Sequence, residues 1–356
     1  MTISNMDFRP DWTSAPGETI VDILQERHLS NVEFAERIGH TLDDTENLLQ
    51  GRATITIALA RQLERVLGAS VEFWMSRDFQ YRQDTERLHE AHSQWLADLP
   101  IGDMIKFGWL TPVPHPSEEV TACLRFFNVP SISAWNEKYA NLQVAFRTSP
   151  SFDSRLAAIA TWLRQGEIEA ETINCKPWDA ENFQESLQYI RALTKIKRPD
   201  QFIPELTKRC AENGVALAVV RAPNGCRASG AARFLSPNKA LLQFSFRYLT
   251  DDHFWFTFFH EAGHLLLHSK KGFFLEGADL PSTTEEDEAN KFAALTLIPL
   301  ELQSTLLNLY ADSREVIKFA LRLGISPGIV VGQLQHFGKI KRNQLNSLKR
   351  YYKWED

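Results

Sequence analysis

The 356-residue chain is poor in cysteine, has no long uncharged apolar run and no excess of positive charge, and each shortage removes a class of function. Its four cysteines, Cys123, Cys175, Cys210 and Cys226, are scattered with no C-x-x-C pair. That excludes a disulfide scaffold and reads as buried thiols. No apolar run approaches the roughly 18 residues that span a bilayer, and the first residues show no basic start leading into an apolar core. Neither membrane insertion nor secretion is expected, and the chain is expected in the cytoplasm. A net charge of -6 argues against a general nucleic-acid coat. It allows a local basic patch, such as Lys339, Lys341, Arg342, Lys349, Arg350 and Lys353, which a solvated helix face would explain equally well. The length suits two or three domains with cores of their own.

Against these absences stands one dense motif, Phe258-Phe259-His260-Glu261-Ala262-Gly263-His264-Leu265. Residues four apart share a helix face, so His260 and His264 can reach one metal ion while Glu261 stands over the open coordination position. A Glu so placed can take a proton from water, the chemistry of zinc peptidases. Phe254, Trp255, Phe256, Phe258, Phe259, Leu265, Leu266 and Leu267 predict a buried helix interrupted on one face by these three side chains. The bland alternative is a core helix with satisfied histidines, but a buried Glu261 would then need a partner of its own.

Zinc held this way needs a third protein ligand. His268 continues the spacing, but on a straight helix it lies about 12 Å along the axis from His260, which places it beside the site rather than in it. The acidic run Ser282-Thr283-Thr284-Glu285-Glu286-Asp287-Glu288-Ala289-Asn290-Lys291-Phe292 predicts a second helix, capped by Ser282 or Thr283 and stopped near Pro299. Glu286 and Asp287 are explained by the helix dipole, with Asp287 in register with Lys291 on the wet face. Glu288 shares a face with Phe292 and Leu295, so it is expected to point inward as the third ligand, with Glu285 one turn earlier as the alternative.

The sequence His260-Glu261-Ala262-Gly263-His264, then Glu288-Ala289-Asn290-Lys291-Phe292-Ala293, then Leu297-Ile298-Pro299 resembles the ImmA/IrrE family of metallopeptidases. The resemblance implies a thermolysin-like (gluzincin) zinc core with a small sheet, Zn2+ held by His260, His264 and Glu288, and Glu261 as the base. It also implies a protein substrate such as a repressor or antitoxin. The run Ala240 to Tyr248 resembles the strand that precedes the metal helix in that family, at an edge where an extended peptide could add. The residue that would stabilise an oxyanion stays open among Tyr248, His253 and His268.

The amino-terminal stretch breaks into short helical pieces. Ser30 with Glu33 forms a capping box, and Gly39, Gly51 and Gly68 sit where helices should stop. Their order resembles the Xre/Cro-type helix-turn-helix domain of HigA-like antitoxins. That resemblance implies DNA recognition through the stretch from Thr41 to Leu49, with Asn31, Thr41, Thr45, Asn47 and Arg52 as candidate contacts. Residues 1 to 90 carry 16 acidic and nine basic side chains, however, with Asp43, Asp44 and Glu46 on the recognition stretch itself. Phosphate binding relies on cations, so a protein-docking or dimerising module, and with it a homodimer, competes with the DNA reading.

The expected fold class is thus α+β and mostly helical: an all-α helix-turn-helix domain plus a zinc-peptidase domain with a small sheet. The boundaries are expected at 1–85 for the helix-turn-helix domain, 86–190 for a helical middle region, 191–300 for the peptidase core and 301–356 for a helical extension. Within these, Pro112, Pro114 and Pro116 mark a break, Leu206 to Asn213 a helix and Val215 to Val220 a buried strand. The expected function is a zinc-dependent endopeptidase coupled to a regulatory module. The competing reading is a regulator or antitoxin whose zinc domain binds a partner without cutting.

Overall fold

The computed structural model describes residues 10–140, 156–245, 250–268, 273–277 and 284–352. The described chain is rich in helix with one small mixed sheet, in line with the α+β expectation. It divides into two compact units, one of residues 1–97 with 129–135, the other of 98–128 with 136–356.

In the first unit lie α1 (Pro16–Glu26), α2 (Asn31–Ile38), α3 (Leu42–Leu49), α4 (Ile57–Leu67) and most of α5 (Val71–Asp98). Side-chain caps start four of these helices: Ser30, Thr41, Thr56 and Ser70 accept from the backbone N–H of Glu33, Asp44, Leu59 and Phe73. Gly39 ends α2 in the left-handed region at φ 72°, a conformation that costs glycine little. Ile20, Leu24, Phe34, Ile38, Leu48, Leu59, Leu63 and Trp74 form the core between the helices. The polar run from about residue 79 to 95 continues α5 as one long helix.

The second unit begins with α6 (Ile101–Lys106) and α7 (Pro116–Phe127), where Pro116 is the first helical residue, the position at which its missing N–H costs nothing. After α8 (Ile132–Lys138), which straddles the division, come α9 (Leu156–Thr172), α10 (Ala180–Leu193) and α11 (Pro199–Ala211). Then follow β1 (Val215–Val219), β2 (Ala228–Ser236), β3 (Lys239–Phe244), α12 (Asp251–Leu267), β4 (Phe273–Gly277) and α13 (Thr284–Leu297). Three shorter helices, α14 (Leu300–Leu307), α15 (Ser313–Leu323) and α16 (Pro327–His336), complete it.

The strands lie in the order β1-β3-β2-β4, with β1 parallel to β3 and the other pairs antiparallel. Both faces of the sheet are covered, which is why β1 reads Val-Ala-Leu-Ala-Val without polar alternation. Val215, Leu217, Leu242 and Phe244 face α10, α11 and α12, while Ala216, Ala218 and Leu241 face Trp162 and Leu163 of α9. The strand expected at an edge and running to Tyr248 is instead internal, paired with β1 on one side and β2 on the other, and is described as far as Phe244; residues 246–249 lie outside the described residues.

The basic cluster near the carboxyl end is structural in part. Lys349 Nζ lies 2.6 Å from Asp252 Oδ2, with both side chains buried, and Arg350 Nη1 donates to the carbonyls of Thr194 and Ile196 at 2.9 and 3.1 Å. Neither belongs to a solvated helix face. Lys353 lies outside the described residues. No described helix is long and apolar enough to cross a membrane.

Candidate metal centre

Helix α12 is driven into the core by Phe254, Trp255, Phe258, Phe259, Ala262 and Leu265, all buried. That packing takes His260, Glu261 and His264 out of solvent with it, at 1%, 0% and 1% exposure. The two imidazoles point the same atoms inward, with His260 Nε2 and His264 Nε2 3.0 Å apart. Helix α13 completes the cluster from across the interface. Glu286 sets Oε2 3.2 Å from His260 Nε2 and Oε1 3.3 Å from His264 Nε2.

The third residue of this cluster is therefore Glu286, whereas Glu288, the expected third ligand, stands outside it. Glu288 is turned away: its side chain is 56% exposed and its Oε2 meets His268 Nε2 at 2.8 Å. The reason lies in which residues of α13 face α12. The fully buried stripe is Ala289, Ala293 and Leu297, with Phe292 half-buried beside it against Gly263 of α12, and Glu286 lies one turn before Ala289. Small side chains let the two helices close up; a Cβ at Gly263 would come within 3.0 Å of the Phe292 ring. Glu285 is likewise absent from the cluster. The expected cap residues Ser282 and Thr283 lie outside the described residues.

The donor set fits a metal ion. A tetrahedral ion bonded at about 2.0–2.1 Å separates its ligands by roughly 3.3 Å, close to the spacings seen here. The protonation states fit as well. Burial, together with the neighbouring His260 charge, pushes the His264 pKa below its usual value against the pull of Glu286. For Glu286 burial acts upward, but the hydrogen bonds and charges of the two imidazoles outweigh it and bring the carboxyl down to about 2. At neutral pH the pair is thus a neutral imidazole and a carboxylate, the forms that bind metal.

Each imidazole is also held at its other nitrogen. His260 Nδ1 lies 3.1 Å from Asn290 Oδ1, one turn beyond Glu286 on α13. His264 Nδ1 lies 3.2 Å from His268 Nδ1. Helix α12 ends at Leu267, so His268 is its cap rather than a further helical turn, and it stands beside the cluster without joining it. Of the other oxyanion candidates, Tyr248 lies outside the described residues, and His253 sits about 10 Å along the helix axis from His260.

One residue missed in the sequence is Gly230, in β2. A Cβ there would meet Thr257 Cγ2 at 2.6 Å and Glu261 Oε1 at 2.7 Å, so the absence of a side chain gives the Glu261 carboxylate its place. A glycine inside a strand is the available signal for such a close approach. Gly230→Ala is expected to displace Glu261 while leaving the three metal-facing side chains in place. A crystal structure of the variant should show the Glu261 carboxylate moved, and an unmoved Glu261 would show that the contact yields elsewhere.

The candidate DNA contacts belong to the first unit. Asn31, Thr41 and Arg52 are exposed, and Asn47 Oδ1 accepts from Arg52 Nη1 at 3.4 Å. Thr45 is a correction: it is buried, and its hydroxyl donates to the Thr41 carbonyl at 2.8 Å, so it has nothing to offer a duplex.

A pair of helices that brings two histidines and a glutamate together, with a second glutamate buried between the histidines in sequence, defines a metallopeptidase-like domain. Residues 227–334 match the family model Peptidase_M78, the IrrE N-terminal-like domain, which spans the whole metal centre and supports the ImmA/IrrE resemblance there. The match does not extend to the short amino-terminal helices. No match to the chain is found among curated proteins.

Proposed function

We propose that the second unit is a zinc-dependent endopeptidase, with the ion held by His260, His264 and Glu286. The observation that carries this reading is the convergence of those three side chains from two helices onto one point, with Glu261 buried alongside. Zinc, when bound, supplies a Lewis acid that polarises a peptide carbonyl and acidifies water. His260 and His264 contribute their Nε2 atoms, and Asn290 keeps the His260 ring in place through Nδ1. Glu261 is the proton carrier: its carboxylate takes a proton from the attacking water and hands it to the leaving amine.

The substrate we infer is a protein regulator such as a repressor or antitoxin, cut in the cytoplasm. The amino-terminal helices, read as a helix-turn-helix module, would bring that partner or a second copy of the chain to the peptidase. Protein docking is favoured over DNA because Asp43, Asp44 and Glu46 stand exposed on α3, where phosphates would repel them.

Elemental analysis of the purified full chain tests the centre. Wild type loaded with zinc should hold one ion per chain, and His260→Ala and Glu286→Ala should each lose it while circular dichroism stays unchanged. A folded wild type that takes up no zinc would overturn the peptidase reading.

A further inference from the structure

The two histidines of α12 are held by unlike partners. His260 leans on an amide oxygen, whereas His264 leans on a second imidazole that is itself backed by a carboxylate. The direction of these hydrogen bonds follows from what each group can do. A carboxylate only accepts, so the hydrogen between His268 Nε2 and Glu288 Oε2 belongs to His268. In its neutral form an imidazole carries one N–H, so a neutral His268 that donates through Nε2 offers Nδ1 as an acceptor. The nitrogen facing it at 3.2 Å, His264 Nδ1, must then donate. With an ion bound, His264 Nε2 then presents its lone pair at the point it shares with His260 and Glu286.

We propose that His268 and Glu288 are positioning residues for the metal centre, acting as a two-bond chain that fixes the tautomer and aim of His264. The proposal rests on the reading of His260, His264 and Glu286 as a metal site. The end of α12 makes the chain possible. His268 leaves helical geometry at φ -125° and ψ 24° while its N–H still donates to the His264 carbonyl at 3.0 Å, which keeps the two rings in contact. Its side chain is 8% exposed and that of Glu288 is 56% exposed, so the chain runs outward from the buried ligand to a carboxylate at the surface. The reverse arrangement, with His268 donating through Nδ1, would place a hydrogen on His264 Nε2, where it would block ligation.

The test uses the full chain and zinc as the probe. Zinc affinity is measured by competition with a chromogenic chelator for wild type, His268→Phe, Glu288→Ala and Glu288→Gln. Loss of an outer partner of a metal-bound histidine costs about 10–100-fold in affinity, and that loss is expected for His268→Phe and Glu288→Ala. Glu288→Gln keeps an acceptor for His268 Nε2–H and should recover most of it, which a merely space-filling role would not require. Nitrogen-15 spectra of the zinc-loaded wild type should show the hydrogen on Nδ1 of His264 and on Nε2 of His268. Unchanged affinity in Glu288→Ala, or a His268 ring protonated at Nδ1, overturns the proposal with the metal site intact. A wild type that binds no zinc overturns the metal site itself.

Discussion

Glu261→Gln is expected to retain a full complement of zinc and to lower peptide cleavage by about 10²–10⁴-fold, the range over which a positioned general base contributes. The substitution is nearly isosteric, which matters at a side chain that is fully buried and close enough to Gly230 that a single added methyl group would collide with it. The amide fills the same space and cannot take a proton. The proposed ligands are His260, His264 and Glu286, none of which the change touches. Paired measurement of metal content and single-turnover cleavage decides the role. Zinc lost along with activity would make Glu261 a structural member of the centre, and activity retained would place the base elsewhere.

Removal of Lys349 should have the largest effect on stability. Its ammonium lies 2.6 Å from Asp252, at the second position of α12, and the two side chains are 8% and 7% exposed. Gln335 Oε1 accepts from the same ammonium at 2.8 Å. Truncation to alanine strands a carboxylate inside the protein, and breaking a buried pair from one side costs about 3–5 kcal/mol. The double variant Lys349→Met with Asp252→Asn removes both charges together and should recover most of that loss. Urea denaturation followed by tryptophan fluorescence compares the three proteins. A Lys349→Ala variant within about 0.5 kcal/mol of wild type, the range of an ordinary surface change, would show that the pair holds nothing in place.

Much of the fold and part of the site could be read from residue order alone, and the division follows physical lines. The metal helix was legible because helix pitch ties His260 to His264 whatever surrounds them, and the short helices because Ser30, Thr41 and Gly39 act on their own neighbours. Glu286 was not legible. Phe292 does pack against α12, at Gly263, but the fully buried positions of α13 are the small Ala289 and Ala293 beside it, and that rotation of the face is what carries Glu286 inward. Gly230 and the partners of Lys349 were hidden for a related reason. Each acts on a residue far away in sequence, Glu261 in one case and Asp252 in the other, and local pattern carries no record of such pairs. Thr45 sits among exposed polar neighbours, and only its bond back to Thr41 shows that it has turned inward.

The metal centre draws two of its side chains from α12 and one from α13, and the helices approach closely where Gly263 lies against Phe292. Such a junction works as a caliper. A residue adds about 1.5 Å along a helix, whereas metal bonds hold their lengths to within about 0.2 Å, so a slide of α13 by a fraction of one residue would take Glu286 out of bonding range. The fit of the centre is therefore set by the register of α13 against α12, and any change in that register is felt first at Glu286.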